Sequence, residues 1–149
     1  MILQEPFYEK GLRFSCLRCS KCCRHTPGYV FLSEKDLKGI AAYLHLDSEE
    51  VSSRYCRIVH IGGFKRLSLK EKDNLDCIFW EADGCRIYKK RPLQCRSFPF
   101  WSANLLSKDT WERTADMCPG VGQGKWHSSK SISRWLAKRN AERLIAMED

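Results

Sequence analysis

Nothing in this 149-residue sequence is apolar over enough residues to cross a bilayer. The longest stretch without a charge is Ser97 to Ser107, eleven residues interrupted by Pro99 and Asn104, whereas a spanning helix needs about 20 apolar residues. No membrane partner is expected. The N-terminus, Met1-Ile2-Leu3-Gln4-Glu5-Pro6, lacks both the basic region and the apolar core of a signal or transit segment, so a cytoplasmic location is expected. Internal repeats, low-complexity tracts and a G-x-G-x-x-G nucleotide loop are all missing, and Gly120-Val121-Gly122-Gln123-Gly124 has no preceding strand in the pattern that would make it one. Acid is scarce as well: 18 Asp and Glu face 26 Lys and Arg, a formal net charge of +8.

What is present is ordinary for a globular chain, with 43% hydrophobic and 11% aromatic residues and a mean hydropathy of -0.47, which excludes disorder and fibre. The basic excess is localised. Lys10, Arg13, Arg18, Lys21 and Arg24 follow one another without an acid, and so do Arg86, Lys89, Lys90, Arg91 and Arg96. Those two stretches, Lys10 to Arg24 and Cys85 to Arg96, also hold six of the nine cysteines. An odd cysteine count would leave one thiol unpaired by disulfides, and clustered cysteines in a reducing compartment bind metal more often than they pair. Disulfides and inert buried thiols are the alternatives.

The expected class is α+β: a small metal-stapled single domain over residues 1–149, with short helices and β-hairpins around a cysteine cluster. Tyr29-Val30-Phe31-Leu32 reads as a short buried strand. Ser33 with Asp36 three residues on reads as a capping box opening a helix from Glu34 to His45, whose apolar stripe is Leu37, Ile40, Ala41 and Leu44. A short helix from Glu49 to Tyr55 follows. Arg57 to Lys70 alternates around Gly62-Gly63 as a hairpin, and a second hairpin is expected with its turn at Asp83-Gly84 between Cys77–Trp80 and Cys85–Tyr88. Pro92 opens a short helix carrying Gln94 to Ser97. The metal-binding core is placed at about 14–124, and a C-terminal helical extension at about 128–147, with its helix over roughly Ser131 to Ala146.

Cys16-Leu17-Arg18-Cys19-Ser20-Lys21-Cys22-Cys23 carries the chemistry. Two-residue gaps let a tight turn aim several thiolates at one point while backbone N–H groups face the sulfurs and stabilise their charge. Cys77, Cys85, Cys95 and Cys118 follow singly, so four plus four makes eight candidate ligands. The spacing fits zinc. It also fits the opening of a bacterial ferredoxin run, with Cys118-Pro119 supplying the cysteine-proline pair. Adjacent side chains diverge, so Cys23 is expected to face a second site or to be a redox thiol. In a regular hairpin Cys77 and Cys85 would be too far offset to share one zinc, so either the hairpin is distorted or they serve different centres. Cys56 reads as a buried structural thiol. His25 could replace a cysteine ligand; His45, His60 and His127 read as surface or core residues. Arg91 and Arg96 bracket Cys95 as counter-charge for thiolates or as an anion-binding pair for a cofactor or substrate.

Three blocks in order, Cys16-x2-Cys19-x2-Cys22-Cys23, Gly84-Cys85-x-Ile87-Tyr88-x2-Arg91-Pro92-x2-Cys95-Arg96-x-Phe98-Pro99 and Cys118-Pro119-Gly120, resemble the YkgJ-type CxxCxxCC cysteine-cluster family, a zinc- or iron-chelating domain. The resemblance covers about Phe14 to Gly124 and implies that Cys16, Cys19, Cys22, Cys23, Cys77, Cys85, Cys95 and Cys118 are the ligands. Ser20 stands where the family pattern usually has glycine. The same cysteine pattern resembles part of flagellin lysine N-methylase, which implies an iron-sulfur centre and S-adenosylmethionine.

The first expectation is therefore a cytoplasmic metalloprotein holding an iron-sulfur cluster or zinc. The alternative is an iron-sulfur enzyme of group transfer, such as methylation of a small molecule or protein. Third comes a zinc-knuckle nucleic-acid binder with Phe98, Phe100 and Trp101 as stacking surfaces. Eight thiolates add eight negative charges, and two zinc ions would leave the chain at about +4. Much of the surplus is then internal counter-charge, which lowers nucleic acid to third place.

Overall fold

The computed structural model describes residues 5–19, 28–82 and 84–147, with the backbone alone at Met147. In chain order the elements are β1 (Leu12–Phe14), α1 (Glu34–Leu44), α2 (Ser48–Tyr55), β2 (Cys56–Ile61), β3 (Phe64–Leu69), β4 (Trp80–Glu81), β5 (Gly84–Cys85), α3 (Leu93–Ser97), α4 (Lys108–Met117), β6 (Val121–His127), α5 (Ser129–Ala141) and β7 (Ala146–Met147). The class is α+β, as the sequence leads one to expect. The chain forms two compact units: Met1–Lys21 with Ser97–Ala141, and Cys22–Arg96 with Glu142–Asp149.

In the second unit, Ser33 caps α1 through the complete capping box: its hydroxyl accepts from Asp36 N and Asp36 Oδ2 accepts from Ser33 N. The other carboxylate oxygen of the buried Asp36 accepts from Leu93 N at 3.1 Å, which ties the start of α3 to the start of α1. His45, in the left-handed region at φ 58°, ends the helix. Asp47 caps α2 from its side chain. Gly62 and Gly63, both at positive φ, make the two-residue turn between β2 and β3, which pair in register from Cys56↔Leu69 to Ile61↔Phe64. β3 is central. On its other edge, Lys65 and Arg66 pair with β7, and the Val30–Leu32 segment bonds Leu67 and Leu69, so the stretch expected as a strand at 29–32 is extended but joined by an isolated bridge. Leu32, Ile40, Val51, Phe79 and Ile87 form the core, none exposed by more than 1%.

Two expectations fail here. The hairpin at Gly84 has only two residues per strand, Trp80↔Cys85 and Glu81↔Gly84. Cys77 to Trp80 is instead a turn closed by Trp80 N to Cys77 O at 2.9 Å, because Phe79 and Ile87 are both drawn into the core and the strand cannot run straight through them. The C-terminal helix stops at Ala141, short of Ala146. Leu144 and Ile145 are out of phase with Ile132, Trp135 and Leu136; instead Leu144 bridges to Ser33, and Ile145, whose N–H donates to Leu32 O, packs partly buried on the core.

The first unit is a β1–β6 ribbon with α4 and α5. Its core holds Phe100, Leu105, Trp111, Val121 and Ile132, and Phe100 stacks on Trp111 with centroids 5.7 Å apart. The ribbon is irregular: Leu12↔His127 and Arg13↔Trp126 are in step, but Phe14 pairs with Val121. Residues 122–125 bulge out, and Gly122 and Gly124 at positive φ allow it.

Candidate metal centre

In the first unit, Ser15 fixes the end of β1. Its N–H donates to Gly120 O at 3.4 Å and its hydroxyl accepts from Lys125 N at 2.8 Å. A Cβ at Gly120 would be driven into the Ser15 carbonyl oxygen, so only glycine lets these two backbones meet. Cys16 leaves the ribbon here. Cys118, the C-cap residue of α4, enters it through a turn closed by Val121 N to Cys118 O.

Beyond Ser15 the chain makes the knuckle that a C-x2-C gap is expected to make. Arg18 sits at φ 53° and its N–H donates to Cys16 Sγ at 3.4 Å. A left-handed arginine is strained by about 1–2 kcal/mol; the N–H···S bond that it makes stabilises a thiolate and is of little use to a neutral thiol. Cys16 and Cys19 are both exposed. The donor set is therefore suited to zinc or iron. Ser20, Cys22, Cys23 and His25 lie outside the described residues.

The second unit holds Cys77, Cys85 and Cys95, all partly buried. Cys77 and Cys85 pack against the same core cluster, the hairpin between them being distorted, which was one of the two arrangements open to them. Cys95 lies on α3, and its neighbour Gln94 accepts from Phe31 N at 3.1 Å and donates to Tyr29 O at 2.7 Å. Gln94 thus fastens the segment just after the cysteine cluster to the Arg91–Arg96 block, as Asp36 does one helix further on. Arg91 lies 3.9 Å over the Tyr88 ring and donates from Nε to Tyr88 O; Arg96 donates from Nε to Arg91 O. These contacts brace the loop. Among the described residues, no three His, Cys, Asp or Glu side chains gather closely enough to hold a metal ion.

His127 is half-buried: Nε2 is 2.9 Å from Phe14 O and the ring packs edge-on to Phe100. Cys56, 4% exposed, is the C-cap residue of α2 and the first residue of β2. Burial pushes its thiol up to about 11, partly offset by Lys70. Between pH 9 and 11 the unfolded chain ionises this thiol and the folded one does not, so stability falls as pH rises through that window, by about 3 kcal/mol. In denaturant titrations the stability of wild type is expected to fall by about 3 kcal/mol relative to that of Cys56→Ala between pH 9 and pH 11. Parallel curves would exclude Cys56 as the cause.

Residues 15–119 match the CxxCxxCC family, described as "Putative zinc- or iron-chelating domain". The chain belongs to this family. The match runs from Ser15 to Pro119, so the stretch that defines a CxxCxxCC domain here begins and ends at the Ser15–Gly120 contact. A relative, "Uncharacterized protein MJ0661" of Methanocaldococcus jannaschii, is 36% identical over 97 residues, which are 62% of this chain and 48% of the relative. The chain thus spans about half the length of that curated relative. No solved structure matches it. No helix among the described residues is long and apolar enough to cross a membrane.

The contacts missed in the sequence are those that position the cysteine blocks: those of Ser15, Gly120, Gly124 and Gln94, and the bond from Leu93 N to Asp36, a residue legible only as a helix cap. The one available signal was Cys118-Pro119-Gly120, where glycine follows directly on a cysteine-proline pair.

Proposed function

We propose that this CxxCxxCC domain is a thiolate metal centre for zinc or iron, the iron either as an ion or in an iron-sulfur cluster. Its ligands are drawn from Cys16, Cys19, Cys22, Cys23, Cys77, Cys85, Cys95 and Cys118. The observation that carries this reading is the Arg18 N–H donated to Cys16 Sγ from a left-handed residue, a strained geometry that gains most when the sulfur is charged. Bound metal supplies positive charge that holds the thiolates together. Arg91 and Arg96 contribute counter-charge around Cys95, and the reducing cytoplasm keeps the thiols available.

Anaerobic purification followed by elemental analysis tests this. Zinc or iron at about one equivalent or more per chain is expected, and a brown sample absorbing at about 400 nm identifies an iron-sulfur cluster. Cys16→Ser and Cys19→Ser lose the metal and Cys56→Ser keeps it. A folded chain that holds neither metal after reconstitution overturns the reading.

A further inference from the structure

We propose that the β1–β6 ribbon carries a stacking site for single-stranded nucleic acid, with Trp126 as the platform and Arg13 as its phosphate contact. Neither residue is one of the proposed metal ligands.

Trp126 is 53% exposed, unusual for so large an apolar ring that is also firmly held. Its indole Nε1 donates to Lys10 O at 2.9 Å. The ring presses on Gly11, where a Cβ would be driven into the indole. One side is therefore fixed by backbone that only glycine permits, and the ring is presented with little freedom left to lose on binding. Arg13 is the direct cross-strand partner of Trp126, so the two side chains project from the same face of the ribbon. Arg13 Nη1 donates to Gly124 O at 3.0 Å, which fixes the guanidinium on the ribbon.

The ribbon's own charge is complementary to phosphate. Lys10 and Lys125 adjoin the pair in sequence, and no acid occurs in β1 or β6; α4, which packs on β6, carries Asp109, Glu112 and Asp116 beside Lys108 and Arg113. Glu9, in the turn before β1, is the nearest acid in sequence. An aromatic face next to cations is the arrangement that holds unpaired bases without reading their sequence. The aromatics first suspected do not serve: Phe100 is 2% exposed in the core, and Phe98 and Trp101 pack edge to face on each other, both half-buried.

The test uses the full chain, metal-loaded, with a fluorescent oligo-thymidine strand and an abasic strand of equal length at low salt. The thymidine strand is expected to bind about tenfold more tightly than the abasic one, and Trp126→Ala to remove that difference. Trp126→Phe, which keeps a ring, retains most of it. Arg13→Gln weakens both strands and reduces the slope of log affinity against log salt by about 0.7. Circular dichroism establishes that each variant folds; should Trp126→Ala not fold, the abasic comparison and Arg13→Gln decide. Equal affinity for the two strands, or no binding of either at low salt, overturns the proposal.

Discussion

Gly120→Ala is expected to destabilise the protein by about 3 kcal/mol, the upper end of what overpacking costs. The added methyl group points at the Ser15 carbonyl oxygen, with Phe14 Cε1 at 3.3 Å on another side. Neither strand can step back easily. Ser15 is held from both sides by Gly120 O and Lys125 N, and Val121, the next residue, is 6% exposed against Phe100, Trp111 and Ile132. The ribbon must open where Cys16 and Cys118 join it, so bound metal falls together with stability. Urea unfolding at constant m-value measures the loss, which lowers the melting temperature by roughly 6–12 °C in a chain of this size. Gly39→Ala is the control of opposite sign: a Cβ there meets nothing within 4 Å, and replacing glycine inside α1 stabilises by about 0.8 kcal/mol. A Gly120→Ala protein as stable as wild type would mean that the close approach of Ser15 and Gly120 is not a constraint.

How far the fold can be read from the sequence depends on whether its causes are local. α1 is legible because Ser33, Asp36 and the stripe Leu37, Ile40, Ala41 sit within eleven residues, and the β2–β3 hairpin because Gly62-Gly63 states its own turn. α4 is not, since Trp111 is its only fully buried residue and one apolar anchor makes no period. β6 is not, because two glycines at positive φ look like a loop until β1, far away in sequence, pairs with its two ends. The site divides in the same way. The knuckle at Cys16–Cys19 follows from a two-residue gap, whereas Gln94 binding Tyr29 and Phe31, or Asp36 binding Leu93, joins segments whose meeting no local pattern records. Leu144 and Ile145 carried a usable signal, being out of phase with the rest of the helix expected there.

Metal removal is expected to have the largest effect of all, lowering stability by about 4 kcal/mol and the melting temperature by roughly 8–16 °C. Structural zinc supplies apparent binding free energies of about 10–16 kcal/mol in zinc-finger peptides that have no core of their own. Here Leu32, Ile40, Val51 and Phe79 already form a core at 0–1% exposure, so much of the binding energy does not appear as folding energy. The loss falls where the chain is strained: without metal, nothing draws Cys16 and Cys19 to one point and Arg18 has no reason to stay at φ 53°. Hydrogen exchange then separates the regions. The Arg18 amide, which donates to Cys16 Sγ, exchanges freely in the metal-free protein, while Ile40, Ala41 and Val51 remain slow. Cys16→Ser with Cys19→Ser reproduces the metal-free pattern whatever metal is supplied. Melting curves of the loaded and stripped protein that agree within about 2 °C would be too close for a metal that stabilises the fold, and would remove the physical reason for eight clustered cysteines.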